Sequence, residues 1–306
     1  MALVDQIPFG MSLPHRSPDR IGADTVRAVA QRAEALGFRD LWVTENTLDH
    51  VTSFDPLTVL TYAAAVTTTI RLGASVLVLP VHDPRMVAHQ WASLDALSNG
   101  RALMGVGIGR PQHYAEFEVS PEGRVGRFRE QVSLIRALWA EERVTHHGRY
   151  YHVDNARLGI RPLQQPLPVW MGVGHPDALR RTALLADGWM GAGGSTTEDF
   201  RKAVPALKSA RAQAGRDPTT FPISKRIFLA VDDNPAKARA ALHRWYTEVY
   251  HNPAGTETSG VYGTLEQVAA RLQEFVSMGA THLLLNPVAD HAEQLEACAE
   301  VIRRAA

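Results

Sequence analysis

Short apolar runs alternate with helical runs along this whole chain, and that alternation restricts the fold more than any other feature. Phe9–Leu13 opens the series. Val26, Val29, Ala30, Ala33 and Leu36 then recur at helical spacing, with Asp24 as the expected N-cap and Gly37 as the terminating glycine. Further strands are predicted at Asp40–Thr44, Ile70–Leu79, Ala102–Gly109, Pro168–Gly174, Trp189–Gly193, Ile223–Val231 and His282–Asn286. Helices are predicted at Pro56–Thr67, Pro84–Leu97, Arg124–Trp139, Pro176–Ala186, Glu198–Ala214, Pro235–Tyr250, Leu265–Met278 and His291–Arg304. The third strand is almost wholly apolar, as expected when both faces are covered. Eight strands, each followed by a helix, predict an α/β fold, a (β/α)8 TIM barrel in one domain spanning residues 1–306. Two polar stretches, Val144–Gln165 and His251–Gly263, are too long for ordinary connections. They are expected as insertion loops at the C-terminal face, the first near the barrel mouth and the second mobile.

Three of the strands end in alternating glycines: Gly105, Gly107 and Gly109; Gly172 and Gly174; and Gly191, Gly193 and Gly194 before Ser195. Residues two apart share one face of a strand, so these strands have a bare face. A bare face points to close approach by a ligand or by another backbone; tight barrel packing is the plainer alternative. Barrels of this kind carry their chemistry at the strand C-termini. That rule selects Glu45 and Asn46 after strand two, Ser75 and Val76 in strand three, and Gly109 and Arg110 after strand four. It also selects Gly174 and His175 after strand five and Gly194 and Ser195 after strand six. The last two pairs precede helices, whose N-termini favour phosphate. Capping alone also accounts for Ser195, Thr196 and Thr197.

The totals remove several classes of function. The 306 residues include 32 basic and 32 acidic side chains, so no electrostatic footprint for nucleic acid is present. The lone Cys298 has no partner for an internal disulfide, which fits a reducing compartment. No apolar run reaches the roughly 20 residues of a membrane span, and no secretory leader pattern opens the chain. A cytoplasmic protein that binds neither membrane nor nucleic acid is expected. No serine-nucleophile elbow, phosphate-binding P-loop or zinc helix is found, and His146 and His147 are adjacent rather than spaced as metal ligands, so no metal is predicted. With no evident nucleophile or metal cluster, the chemistry is expected to reside in an organic cofactor.

Ile70–Gly109 (IRLGASVLVLPVHDPRMVAHQWASLDALSNGRALMGVGIG) is the most specific stretch. With RFREQVSLIRALW (127–139), HGRYYHV (147–153), RPLQQPLPVWMGVG (161–174), ADGWMG (186–191) and GTLEQVAARLQEFVSMGATHLLL (263–285), it resembles the bacterial luciferase-like superfamily of flavin- and deazaflavin-dependent oxidoreductases. The likeness runs from Phe9 to about Pro287. It implies a barrel, usually dimeric, that binds coenzyme F420 or FMN at the strand C-termini. It also implies a non-prolyl cis peptide supporting the ring, which maps to Ser75–Val76, and phosphate contacts at Gly174, His175, Gly193, Gly194 and Ser195, with Arg110 as a further candidate. Gly107 and Gly109 join them as expected cofactor-binding positions. The compact length favours F420; Arg110 as a phosphate clamp favours FMN.

One position departs from the family pattern. Where an acidic residue followed by histidine is common after strand two, this chain has Glu45 and Asn46. Asparagine donates hydrogen bonds but is no general acid near neutral pH. Three readings stay open: Asn46 only positions the cofactor, His50 supplies the proton, or catalysis is reduced. The expected activity is hydride transfer between the cofactor and a small-molecule substrate. The rivals are an FMN monooxygenase served by a flavin reductase and a non-catalytic flavin-binding protein. A phosphate-binding isomerase or lyase would need a lysine or acid pair at the strand ends, where none is evident.

Overall fold

The structure is a computed structural model and describes residues 1–304. Eight parallel strands form a ring: β1 (Phe9–Ser12), β2 (Asp40–Val43), β3 (Arg71–Ala74), β4 (Ala102–Gly107), β5 (Val169–Met171), β6 (Gly188–Gly191), β7 (Ile223–Val231) and β8 (His282–Pro287). Each strand pairs with its neighbour in sequence, and β8 pairs with β1, which closes the barrel. Nine helices of ten or more residues accompany the described strands: α1 (Ala23–Ala35), α2 (Pro56–Val66), α3 (Pro84–Leu97), α4 (Arg124–Ala140), α5 (Pro176–Leu185), α6 (Thr197–Gln213), α7 (Pro235–Glu248), α8 (Leu265–Ser277) and α9 (His291–Arg303).

Local chemistry sets where the helices begin. Asp55 and Asp83 accept backbone N–H groups of Thr58 and Arg85, each at 2.8 Å, and Pro56 and Pro84 stand where a missing donor costs nothing. Thr196 and Asp199 form a reciprocal cap on α6. Helix α1 is capped at Gly22, so Asp24 lies in its first turn and not at the cap expected from sequence.

Alternation along the strands sorts the barrel interior into layers. At the base, His282 Nδ1 stands 2.7 Å from Ser224 Oγ and its Nε2 2.9 Å from Asp40 Oδ1. Above them Trp42, Leu103, Trp170, Met190 and Leu284 pack as one buried cluster. Two residues further along β7 from Ser224 comes Arg226, which reaches Asn286 of β8 at the upper end.

Two expected elements differ in detail. The third strand is interrupted after Ala74, where the Ser75–Val76 peptide is cis, as the resemblance implies; it resumes as Leu77–Val78 beside Val106 and Gly107. The Val144–Gln165 stretch forms a hairpin, Val144–His147 with His152–Ala156, along α4. The Glu130 carboxylate of α4 accepts the N–H groups of Arg149, Tyr150 and Tyr151 at 2.8–3.1 Å, which ties the hairpin to α4. The segment expected to be mobile is regular: it holds a short helix, Gly255–Thr258, and a strand, Val261–Gly263, added to β7. No helix among the described residues is long and apolar enough to cross a membrane.

Candidate active site

The end of β2 is organised by hydrogen bonds that leave no side chain free to swing. Glu45, 8% exposed, accepts the Val78 backbone N–H at 2.5 Å on one carboxylate oxygen and meets His82 Nε2 at 2.6 Å on the other. It therefore ties β2 to the segment beyond the cis peptide. Asn46 Nδ2 donates to Thr44 Oγ1 at 2.9 Å, and that hydroxyl lies 2.8 Å from His15 Nε2. The Thr44 N–H also donates to His15 Nε2, at 2.8 Å, so this nitrogen is the acceptor and Nδ1 carries the proton toward Leu13 O, 2.7 Å away. Burial pushes His15 down to about 3, and the imidazole is neutral at ordinary pH. His50 is turned elsewhere: its nitrogens meet Asp49 and the Glu248 carbonyl, and its ring lies 4.3 Å from that of His251, tilted by 32°.

Across the mouth, Arg226 is 7% exposed. Its guanidinium donates to Asn286 Oδ1 at 3.0 Å, to the Ser75 carbonyl at 3.3 Å and to Tyr250 Oη at 3.2 Å. It lies 4.5 Å from the centre of the Phe228 ring. Arg16 and Arg110 both face the ring of Tyr250, at 5.4 and 6.0 Å. Arg16 is paired with Asp49 at 2.6 Å. Ser75 Oγ is buried and has no hydrogen-bond partner.

The loops after β5 and β6 have a different character. A side chain at Gly174 or Gly194 would meet nothing within 4 Å, and both glycines are exposed. His175 caps α5, accepting the Asp177 N–H at 3.3 Å. Under the second loop lies Lys225, 1% exposed, whose ammonium donates to the carbonyls of Ala192 and Ser195 and to Ser195 Oγ at 2.9 Å. Burial pushes Lys225 down to about 7, with the neighbouring Arg226 charge acting in the same direction.

The glycines expected to bare a face for a ligand thus divide into two kinds. A Cβ at Gly107 would lie 2.6 Å from Val76 Cγ2, one at Gly172 2.7 Å from Val76 Cγ1, and one at Gly109 2.5 Å from Val78 Cγ1. Val76 and Val78 fill that bare face, so Gly107 and Gly109 make room for the chain of strand three rather than for a ligand. Gly193 likewise accommodates Phe228.

The sequence pattern of the luciferase-like monooxygenase family matches residues 7–260. The chain belongs to this family. Within the luciferase-like proteins it is 30% identical over 287 residues to the F420-dependent glucose-6-phosphate dehydrogenase of Kineococcus radiotolerans, covering 84% of this chain and 85% of that one. It is 31% identical over 301 residues to the Beutenbergia cavernae protein of the same name, covering 88% and 89%. An F420-dependent secondary alcohol dehydrogenase, solved with an F420–acetone adduct, superposes with a TM-score of 0.85 over 98% of this chain and 100% of its own, at 20% identity. At that identity the likeness concerns the fold.

The residues chosen from sequence gather at one end of the barrel, but with unequal roles. Glu45 and Asn46 are locked into the wall, and His50 faces the end of α7. Sequence reasoning passed over His15, His82, Lys225 and Arg226. A signal for the last two was present: Lys225 and Arg226 are adjacent cations inside the otherwise apolar strand ISKRIFLAV. The buried, unpartnered Ser75 Oγ and the open Gly174 and Gly194 fit a flat ring with a phosphorylated tail, the first as a polar contact at the ring and the others as backbone a phosphate can approach.

Proposed function

We propose that this chain is a coenzyme F420-dependent oxidoreductase that moves a hydride to or from a small organic substrate. The observation that carries this reading is the pairing of an orphaned polar atom, Ser75 Oγ, with two strand-end loops whose glycines 174 and 194 face open space, in a chain whose relatives are F420-dependent. When bound, F420 supplies a carbon centre that accepts or returns a hydride. The chain's own residues do the rest. Ser75 and Val76 support the ring, while Gly174, His175, Gly194 and Ser195 receive the phosphate, and Gly193, seated against Phe228, shapes their loop. Lys225 holds the second of these loops from beneath. Gly107 and Gly109 act at one remove, by seating Val76 and Val78. Arg110 stands at the rim, over Tyr250.

Asn46 is assigned to positioning the cofactor, because an amide has no acidic proton to give. Glu45 keeps the Val78 end of the ring support in place. The imidazole beside that carboxylate is His82, half-buried and 2.6 Å from Glu45, and it replaces His50 as the proton-carrying group in this reading. Neutral His15 orients Thr44 and so Asn46. The family resemblance supports a homodimer, and the single cysteine supports a cytoplasmic setting.

Titration of the protein with F420 and with FMN, each followed by absorbance, tests the reading. Micromolar binding of F420 with FMN at least tenfold weaker is the expected result. Preference for FMN would turn the assignment to the monooxygenase chemistry in the family's name, with a flavin reductase as partner. Binding of neither would overturn it.

A further inference from the structure

The protein contains two nearly buried arginines that differ in one respect. Arg101, 8% exposed, spends its guanidinium completely: Nε donates to Ser98 O, Nη1 to Thr67 Oγ1 and Ile70 O, and Nη2 to Ala64 O and Thr67 O, all at 2.6–3.1 Å. A guanidinium has five N–H donors, so this residue is saturated and serves to join loops at the barrel base. Arg226, 7% exposed, uses three donors on Asn286, Ser75 and Tyr250 and keeps one on each terminal nitrogen.

All three partners of Arg226 are neutral, and no described carboxylate lies within 4 Å of it. A cation taken out of water without an anion costs several kcal/mol. Its surroundings add to that cost, since Arg110 stands over the same Tyr250 that Arg226 contacts, and Arg16 is already neutralised by Asp49. Ser75, whose carbonyl Arg226 holds, has the hydroxyl with no partner. Two N–H groups are therefore unspent on a nearly buried guanidinium that has an excess of positive charge around it and no protein anion.

We propose that Arg226 receives a negatively charged oxygen group of the substrate, so that the substrate is an alcohol or carbonyl compound bearing a carboxylate or a phosphate. This rests on the reading of the site as an F420-dependent oxidoreductase. It makes Arg226 a specificity-determining residue, and a guanidinium suits the task because its planar fork matches two oxygens of one anion.

The test is calorimetric titration with oxalate and, separately, inorganic phosphate, on free protein and on protein saturated with F420, which itself occupies the phosphate loops. Wild type, Arg226→Met, Arg226→Lys and the surface control Arg201→Met are compared, with circular dichroism as the check on folding. Saturated wild type and the Arg201 control are expected to bind at least one anion, Arg226→Met at least tenfold more weakly, and Arg226→Lys in between. Oxalate preferred identifies a carboxylate substrate, phosphate preferred a phosphorylated one. Equal binding by Arg226→Met and wild type, or no binding by saturated wild type, overturns the proposal. So does a loss confined to F420 affinity, which assigns Arg226 to the cofactor. Should F420 fail to bind while Arg226-dependent anion binding persists on the free protein, the cofactor reading fails and the anion site stands.

Discussion

The two ends of the barrel each bury a polar cluster, and the clusters are built on opposite principles. At the base, Asp40 Oδ1 takes donors from His282 and from the Trp42 indole, and His282 bridges to Ser224. The carboxylate and the imidazole face each other with side chains 2% and 4% exposed. Burial acts to raise the Asp40 carboxyl, yet the His282 charge and hydrogen bond, the Arg71 charge and the Trp42 hydrogen bond together hold the group below its usual range. At the mouth, Arg226 has only neutral partners and two free donors, and the Ser75 hydroxyl is unpartnered. The base is complete without a ligand. The mouth leaves polar groups unspent, at the end of the barrel where such folds carry their chemistry.

Removing a partner at either end separates the two principles most sharply. His282→Ala leaves the Asp40 carboxylate buried without its imidazole partner, and a loss of about 3–5 kcal/mol in urea unfolding is expected. Arg226→Met forfeits three hydrogen bonds and relieves an unneutralised cation, so its stability change is expected to stay under about 2 kcal/mol. A larger loss at Arg226 than at His282 would reverse the comparison.

Acid should act through the mouth as well. His15 titrates at about 3 in the folded protein against an ordinary 6.5, so between those values the unfolded chain binds the extra proton. Stability from this group is full above pH 6.5 and falls as pH drops, by up to about 1.4 kcal/mol per pH unit. His15→Asn is expected to flatten that limb of a pH series of unfolding midpoints; an unchanged slope would mean that His15 is charged when folded.

Lys225 tests whether the mouth completes itself on binding. With its pKa at about 7, the ammonium is increasingly neutral as pH rises past 7. F420 affinity is therefore expected to weaken above pH 7, by up to about tenfold per pH unit, and Lys225→Met should abolish the dependence while lowering affinity at pH 6. Glu45→Gln is expected to cost about 1–3 kcal/mol, since the amide keeps one oxygen acceptor for Val78 or His82 but not both. A differential hydrogen-exchange rate at the Val78 amide measures it.

The strands were legible because burial on both faces leaves a continuous apolar run, and the helix starts because Asp55, Asp83 and Thr196 act on their own next turn. The site was legible only where position along a strand sufficed, as for Glu45, Asn46 and Ser75. The glycine pattern was visible but ambiguous: the same missing Cβ admits Val76 at Gly107 and open space at Gly194.

By itself, then, the order of residues determined the alternation of strands and helices, the closed barrel and the family, because those depend on periodicity and on neighbours a few positions apart. Only the tertiary structure decided which polar groups are spent and which remain free. Arg226 meets Ser75 across 151 positions and His282 meets Asp40 across 242. The charge that each buried group requires is settled by partners brought together only when the barrel closes.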